Sequence, residues 1–78
     1  MIPQVVAQVV DGHGLEPPEP FVLTMDALDA CPSGQAVLLL LPREPHPLYR
    51  ALQAQGFAYQ TERTAQGSYQ IRIWHKSA

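Results

Sequence analysis

The stretch that decides the fold reads Asp11-Gly12-His13-Gly14-Leu15-Glu16-Pro17-Pro18-Glu19-Pro20. It follows the β-branched apolar run Gln4–Val10, which predicts a first strand, and it precedes a helical pattern that starts at Phe21. Two glycines within Asp11–Gly14 favour a turn. A proline costs about 3 kcal/mol in a helix interior but is tolerated in the first helical turn. The first helix is therefore predicted to begin among these prolines.

Apolar side chains recur every three or four residues after this turn and predict one buried helical stripe. The stripe consists of Phe21, Val22, Met25 and Leu28. Asp26 and Asp29 fall on the opposite side of the helix. The helix is predicted to end near Cys31, because Pro32-Ser33-Gly34 cannot continue it.

The second half of the chain repeats the alternation of strand and turn. Gln35–Leu41 is almost uninterruptedly apolar and predicts a strand at the buried centre of a sheet. The proline-rich turn Pro42–Pro47 leads into a short helix with Leu48, Ala51 and Leu52 inside, which ends at Gly56 as a left-handed cap.

Two alternating segments close the chain and predict a hairpin. Phe57–Glu62 places Phe57, Tyr59 and Thr61 on one face, and Tyr69–Trp74 places Tyr69, Ile71 and Ile73 on one face. Gly67 supplies positive φ in the connection. His75–Ala78 is predicted to be a frayed end.

These elements predict an α+β two-layer sandwich of order βαβαββ, with a four-stranded mixed sheet and two helices on one face. A strand, helix and strand at this spacing form a right-handed unit, so the first two strands are expected to be parallel. The 78 residues are expected to form a single domain over 1–78 with a thin core, since a chain this short buries only about 60% of its unfolded surface.

Composition excludes several classes of function. The net charge is −2, and the five Lys and Arg residues are scattered, which argues against nucleic-acid binding. No apolar run is long enough to cross a membrane, and the N-terminus lacks a signal-peptide pattern, so a cytoplasmic location is expected. Cys31 is the only cysteine, which rules out an intrachain disulfide and a cysteine-based metal cage. No cofactor is expected.

The first turn resembles the motif of the SirA/TusA-like superfamily of small sulfur carriers, which reads Asp-x-x-Gly-Leu-x-Cys-Pro-x-Pro. The matching positions are Asp11, Gly14, Leu15, Pro18 and Pro20. The order βαβαββ is also the one that this resemblance implies. Pro17 stands at the position of the family's cysteine, so the resemblance implies the fold and not the sulfur-carrier activity. The chain is more similar still to an uncharacterised branch of that superfamily, which carries Gly-Leu-Glu-Pro-Pro-Glu-Pro here and a segment like Arg43–Leu48.

The two proline-rich turns are expected to be neighbours, because parallel strands deliver them to the same sheet edge, where open α/β sheets tend to bind ligands. Arg43 and two helix N-termini there favour an anion. Carboxylates and imidazoles there favour a divalent metal, above all through His13 and His46. The predicted ligand-binding residues are Asp11, His13, Glu16, Glu19, Arg43, Glu44 and His46.

The preferred interpretation is a non-enzymatic binding or regulatory domain, because no nucleophile is paired with a base in the sequence. Its expected partner is an unknown protein or a small anionic ligand. The open sheet face, with Ala58, Gln60, Gln70, Arg72 and Trp74, is expected to support a homodimer or docking on a larger protein. The alternative is a sulfur-transfer or redox role for Cys31, although that thiol is expected at the negative end of the first helix.

Overall fold

The computed structural model describes residues 2–76, whose helices and strands follow the predicted order βαβαββ. The elements are β1 (Val6–Asp11), α1 (Glu19–Asp29), β2 (Ala36–Leu41), α2 (His46–Ala54), β3 (Phe57–Arg63) and β4 (Tyr69–His75). The four strands form one mixed sheet in the order β1-β2-β4-β3. β1 and β2 are parallel, as predicted, and β4 runs antiparallel to both β2 and β3.

The core lies between one face of the sheet and the two helices. The sheet contributes Val37, Leu39, Ile71 and Ile73, which are fully buried. Leu28 of α1 and Leu52 of α2, also fully buried, belong to the same apolar cluster. Both helices therefore cover the same face, and the predicted α+β two-layer fold is confirmed.

The predicted buried stripe of α1 is wrong for two of its members. Phe21 is 39% exposed and Val22 is 48% exposed. The residues of α1 that face the core are Thr24, Ala27 and Leu28. The Thr24 hydroxyl donates a hydrogen bond of 2.7 Å to the Pro20 carbonyl oxygen, which removes the penalty for burying it. Simple apolar periodicity counts threonine as polar and so places the stripe on the wrong residues.

Several element boundaries differ from the predicted ones. β1 begins at Val6 instead of Gln4. The helix α1 begins at Glu19, so Pro17 and Pro18 precede it, and the peptide bond between them is cis. The left-handed backbone predicted at Gly56 and Gly67 is confirmed, with φ of 82° and 84°.

His75 is part of β4 and not of a frayed end. Its Nε2 lies 3.0 Å from the Leu28 carbonyl oxygen, near the C-terminus of α1, where backbone acceptors are left without helical partners. Its ring also packs on Phe57 with 4.9 Å between the ring centroids. His75 thus connects the last strand to the first helix. The Lys76 backbone N–H donates to the Gly56 carbonyl oxygen at 3.3 Å, and Ser77 and Ala78, the rest of the predicted frayed end, lie outside the described residues.

The opposite face of the sheet carries no helix in the part of the chain that the structure describes. Arg72 and Trp74 are half-buried there and alternate with buried Ile71 and Ile73, as predicted. The Arg72 guanidinium donates a hydrogen bond of 3.3 Å to the Pro3 carbonyl oxygen, which ties the N-terminal segment to β4. Neither helix of residues 2–76 has the length and hydropathy that crossing a membrane requires.

Gly12 allows the end of β1 to lie directly against β2. Its backbone N–H donates a hydrogen bond of 2.7 Å to the Leu40 carbonyl oxygen, so the β1–β2 pairing continues past Asp11. A Cβ atom at this position would overlap the Leu41 side chain and would lie 3.0 Å from the Leu40 carbonyl oxygen. Gly14 differs, because its φ is 78° and the space around it is open.

We expect Gly12→Ala to lower the free energy of unfolding by about 1–3 kcal/mol, because the new methyl group pushes β1 away from β2. Urea denaturation followed by circular dichroism measures this loss. Gly14→Asn is the control, since asparagine tolerates a left-handed backbone and meets no neighbour here. Equal losses in the two variants would mean that turn conformation matters here and the close approach does not.

Candidate functional site

A groove opens at the sheet edge where β1 and β2 end, between the two proline-rich turns. Its volume of about 600 Å³ is in the range of sites that hold small molecules. Leu39 and Leu41 of β2 form the floor. The first turn and the start of α1 form one wall, with Leu15, Pro17, Pro18, Pro20 and Phe21. The second turn and the start of α2 form the other, with Pro42, Pro45, Pro47 and Leu48.

The groove is mostly apolar, and this explains the exposure of Phe21. Among the lining residues, only Arg43 and Glu44 carry charge. Prolines line both walls because each turn leads from a strand into the start of a helix. A residue without a backbone N–H is tolerated at that position. The same residues that begin the helices therefore produce a rigid, water-repelling surface at the sheet edge.

Glu44 is held by a partly buried hydrogen-bond network and is not directed freely at a ligand. The Tyr49 hydroxyl lies 3.1 Å from Glu44 Oε2 and 2.6 Å from Thr61 Oγ1. Because a carboxylate only accepts, Tyr49 donates to Glu44, and the Thr61 hydroxyl donates to Tyr49. Burial is the main cause that raises the pKa of Tyr49. The tyrosine thus stays a neutral donor and anchors the second turn to β3.

Aromatic contacts reinforce this anchor. The rings of Tyr49 and Tyr59 stack with 4.5 Å between centroids and an interplanar angle of 2°. His46 packs edge-on against Tyr49 at 5.8 Å, and its Nε2 lies 3.4 Å from Glu44 Oε1. The predicted site residue His46 is therefore bound to the predicted site residue Glu44, in the turn that carries Arg43.

Arg43 is exposed at the groove and forms no ion pair with any carboxylate of residues 2–76. Its sequence neighbour Glu44 is engaged by Tyr49 and His46. The guanidinium is therefore available for an anion that enters the groove, and its planar donors suit a carboxylate.

Asp11 and His13 do not line this groove. His13 belongs to a second depression of about 230 Å³, beside the turn between β3 and β4. Leu40 and Gln70 line this depression, whereas the neighbouring Leu39 and Leu41 line the groove. Because side chains alternate between the faces of a strand, the two depressions lie on opposite faces of the sheet. The predicted site residues are thus divided between two places.

Asp11, His13 and Ser68 form a hydrogen-bonded chain in the second depression. Asp11 Oδ1 accepts from the His13 backbone N–H at 3.0 Å and from His13 Nδ1 at 2.9 Å. His13 Nε2 lies 3.3 Å from Ser68 Oγ. The two hydrogen bonds from His13, the backbone one first, lower the pKa of Asp11. A nucleophile next to a base, which the sequence pattern lacks, is therefore present in the fold.

Glu16 and Glu19 are exposed, and neither lines the groove or the second depression. Glu19 lies in the first turn of α1, where a carboxylate stabilises the helix by about 0.3–1 kcal/mol without any ligand. No group of three or more His, Cys, Asp or Glu side chains within residues 2–76 is arranged to hold a metal ion. His13 and His46 also have different neighbours: His13 contacts Ser68, and His46 contacts Glu44.

Cys31 lies two residues after the end of α1 and is buried, near the helix end where the sequence predicts it. Burial raises the pKa of its thiol above the usual value of 9.0. The thiol lies 3.6 Å from the Pro32 carbonyl oxygen, as a donor. These properties are those of a packed, unreactive cysteine and oppose a role as a sulfur or redox nucleophile.

Sequence reasoning missed the residues whose partners are distant in the chain. Ser68 is 55 positions from His13, and Thr61 is 12 positions from Tyr49. No local pattern marks either pair. For Phe21 the sequence does offer a signal. An aromatic residue beside three prolines at a helix start fits a groove wall as well as a core position.

We expect Tyr49→Phe to lower the free energy of unfolding by about 1–2 kcal/mol, because it leaves Glu44 and Thr61 without their shared partner while keeping the ring. Thermal and urea denaturation provide the measurement. Tyr59→Phe is the matched control, because it removes only an exposed hydrogen bond of 3.1 Å from Gln53. A loss in Tyr59→Phe as large as that in Tyr49→Phe would contradict the role assigned to the Glu44 network.

We expect Cys31 in the folded chain to react with iodoacetamide about tenfold or more slowly than in the denatured chain, because burial disfavours its thiolate. The stability that comes from this neutral thiol is present below the unfolded-state pKa and is lost as the pH rises through the raised folded-state pKa. Quenched time points of the iodoacetamide reaction, analysed by mass spectrometry, give the two alkylation rates. Equal rates in the two states would show that the thiol is accessible and ionisable.

Comparison with protein families gives a match over residues 9–75 to a family described as "Uncharacterized conserved protein (DUF2249)". The match covers all six helices and strands except the start of β1. Comparisons with curated proteins and with solved structures gave no match. The matched description names no activity, ligand or partner. The chain belongs to the DUF2249 family of uncharacterised conserved proteins.

Proposed function

We propose that this protein is a binding domain whose groove between the two proline-rich turns binds, without catalysis in the groove, a small ligand with an apolar body and an anionic head, such as a medium-length carboxylate. The observation that carries this proposal is the groove itself, with its apolar walls and the available Arg43. The two properties act together, because the apolar walls favour binding through the loss of hydrated surface and the guanidinium orients the ligand.

The apolar part of the proposal rests on the composition of the walls. Six prolines, four leucines and Phe21 are among the lining side chains. Each buried CH₂ group of a ligand contributes about 0.8 kcal/mol. A chain of several CH₂ groups therefore gains enough free energy to offset part of the entropy lost on binding. Prolines add rigidity, so the walls need little reordering.

The anionic part rests on Arg43. A carboxylate in the groove meets a guanidinium that is not paired with a carboxylate of residues 2–76. The N-termini of α1 and α2 border the same groove, and their partial positive charge favours an anion as well. The carboxylate next to Arg43 in the sequence is that of Glu44, and its oxygens contact Tyr49 and His46 instead of Arg43.

A distant relation to the SirA/TusA-like sulfur carriers is part of this proposal. It is supported by the order βαβαββ and by Asp11, Gly14, Leu15, Pro18 and Pro20 at the motif positions. Pro17, which would replace the carrier cysteine, belongs to a groove wall. A protein with this change retains a ligand-sized depression at the former reactive position and has no nucleophile there. Binding without sulfur transfer follows from that change, and a cytoplasmic location stays a prediction of the sequence.

The rival functions have less support. Sulfur or redox chemistry at Cys31 is opposed by burial and by the raised thiol pKa. A divalent-metal site through His13 and His46 would need further ligands, and the described residues offer no such group of three. A homodimer through the open sheet face remains compatible with the groove, because Leu39 and Leu41 of the groove floor face away from that side.

We expect decanoate to shift the backbone amide resonances of groove residues in a nuclear magnetic resonance titration, and decanol to shift the same residues more weakly. Arg43→Ala is expected to weaken decanoate binding about 3- to 10-fold, since one charge-assisted contact is lost, and to leave decanol binding unchanged. Phe21→Ala is expected to weaken both ligands, because it removes part of one wall.

Arg50→Ala is the matched control, because Arg50 is exposed on α2 and does not line the groove. It keeps the net charge equal to that of Arg43→Ala. The proposal fails if neither ligand shifts groove resonances, or if Arg50→Ala weakens decanoate as much as Arg43→Ala does.

A further inference from the structure

We propose that Asp11, His13 and Ser68 form a nucleophilic site on the other face of the sheet, at which Ser68 accepts an acyl group from small activated esters and water then releases it. The chain Asp11 Oδ1, His13 Nδ1, His13 Nε2 and Ser68 Oγ, with contacts of 2.9 Å and 3.3 Å, carries this inference. It is independent of the groove and of the function proposed for it.

The sheet register explains how residues so distant in sequence meet. Asp11 pairs with Leu40 of β2, and Leu40 pairs with Gln70 of β4, so the three residues lie in one row across the sheet. His13 lies two positions beyond Asp11, and Ser68 lies two positions before Gln70. Both residues therefore lie on the same side of that row, His13 after the end of β1 and Ser68 before the start of β4. The crossed order β1-β2-β4 creates this meeting.

The hydrogen bonds set the proton positions that a nucleophile requires. The carboxylate of Asp11 only accepts, so His13 Nδ1 carries a hydrogen. In the neutral imidazole, Nε2 is then the acceptor, and the Ser68 hydroxyl is its donor. His13 is thus oriented to receive the Ser68 proton as a general base. Asp11 acts through His13 as a positioning residue, and its second hydrogen bond, from the His13 backbone N–H, fixes the turn.

The backbone around Ser68 is held by its own turn. The Ser68 N–H donates to Thr64 Oγ1 at 3.1 Å, and the Thr64 N–H donates to the Ser68 carbonyl oxygen at 2.8 Å. Gly67, with φ of 84°, allows this tight connection. Ser68 is half-buried, and its hydroxyl is oriented by the contact with His13 Nε2. Such ordering of a nucleophile beside its base reduces the entropy lost when it attacks.

The second depression has a size that suits a small substrate. Its volume of about 230 Å³ accommodates a small acyl group. Leu40 and Tyr69 give it apolar surface, and Gln66 and Gln70, whose side chains carry amide donors, also line it. Amide donors near the reacting carbon stabilise the negative charge that develops on the carbonyl oxygen. Small acetyl-type esters fit these dimensions and this chemistry.

The reaction balances without any further reactant except water. Ser68 Oγ bonds to the acyl carbon while its proton passes to His13 Nε2, and the ester C–O bond breaks as the alcohol leaves with that proton. A water molecule then gives a proton to His13 and bonds to the acyl carbon, and Ser68 recovers its hydrogen as the acid leaves. The net change is hydrolysis of one ester to one acid and one alcohol.

The reaction is expected to be slow, because the Asp11 side chain is 67% exposed and the His13 side chain is 44% exposed. Water screens the interaction between them, which limits how well His13 is held. We therefore expect His13, as general base, to accelerate acylation of Ser68 by about 100-fold, near the lower end of the usual range for such catalysis.

The test is incubation of the full chain with para-nitrophenyl acetate, followed by release of nitrophenol and by peptide mapping of the acetylated residues with mass spectrometry. We expect acetylation at Ser68 well above that at Ser33, an exposed serine in the turn before β2 that serves as internal control. His13→Gln is expected to slow Ser68 acetylation by about 10- to 100-fold. Asp11→Asn is expected to lower the maximal rate while the half-saturating ester concentration stays unchanged.

Two results would overturn the proposal. One is acetylation of Ser68 no faster than that of Ser33, or equally fast in His13→Gln. The other is nitrophenol release that is unchanged in Ser68→Ala, since His13 by itself would then react with the ester. Circular dichroism of each variant confirms folding, and Arg50→Ala, a change at an exposed residue of α2 that lines neither depression, is expected to keep the wild-type rate.

Discussion

Parallel pairing of β1 with β2 is the constraint on which both candidate sites depend. It brings the C-terminal ends of the two strands to one sheet edge, so that the turns that follow them become the two walls of the same groove. Gly12 makes the pairing tight at this edge, because any side chain there would meet Leu41 and the Leu40 carbonyl. The absence of a Cβ atom at Gly12 therefore lets the backbone hydrogen bond to Leu40 form without displacing the Leu41 side chain.

The pleat of β2 separates two kinds of surface at that edge. Leu39 and Leu41 face the helices and form an apolar floor, whereas Leu40 faces the other side beneath His13 and Gln70. A small domain thus presents an apolar groove and a second depression that also carries polar side chains within a few residues of each other. The separation costs no additional structure, since alternation along a strand is a property of the extended backbone.

The turns obtain their rigidity in different ways. The first turn combines prolines with the Asp11 side chain, which accepts two hydrogen bonds from His13. The second turn depends on Tyr49, which reaches from α2 to Glu44 and to Thr61 of β3. The partly buried hydroxyl and carboxylate groups of this network each have a partner, as does the fully buried hydroxyl of Thr24 in α1.

The element order, the parallel pairing of β1 and β2, and the position of Cys31 at the far end of α1 were all readable from the sequence, because periodicity, glycine and proline act over a few residues. The buried face of α1, the apolar character of the groove and the division of the predicted site residues were decided by the tertiary structure. Ser68 meets His13 only because β4 pairs beside β2, and no local pattern encodes that strand order. The physical reason is the range of the forces: backbone preferences are local, whereas side-chain neighbours depend on which strands share hydrogen bonds.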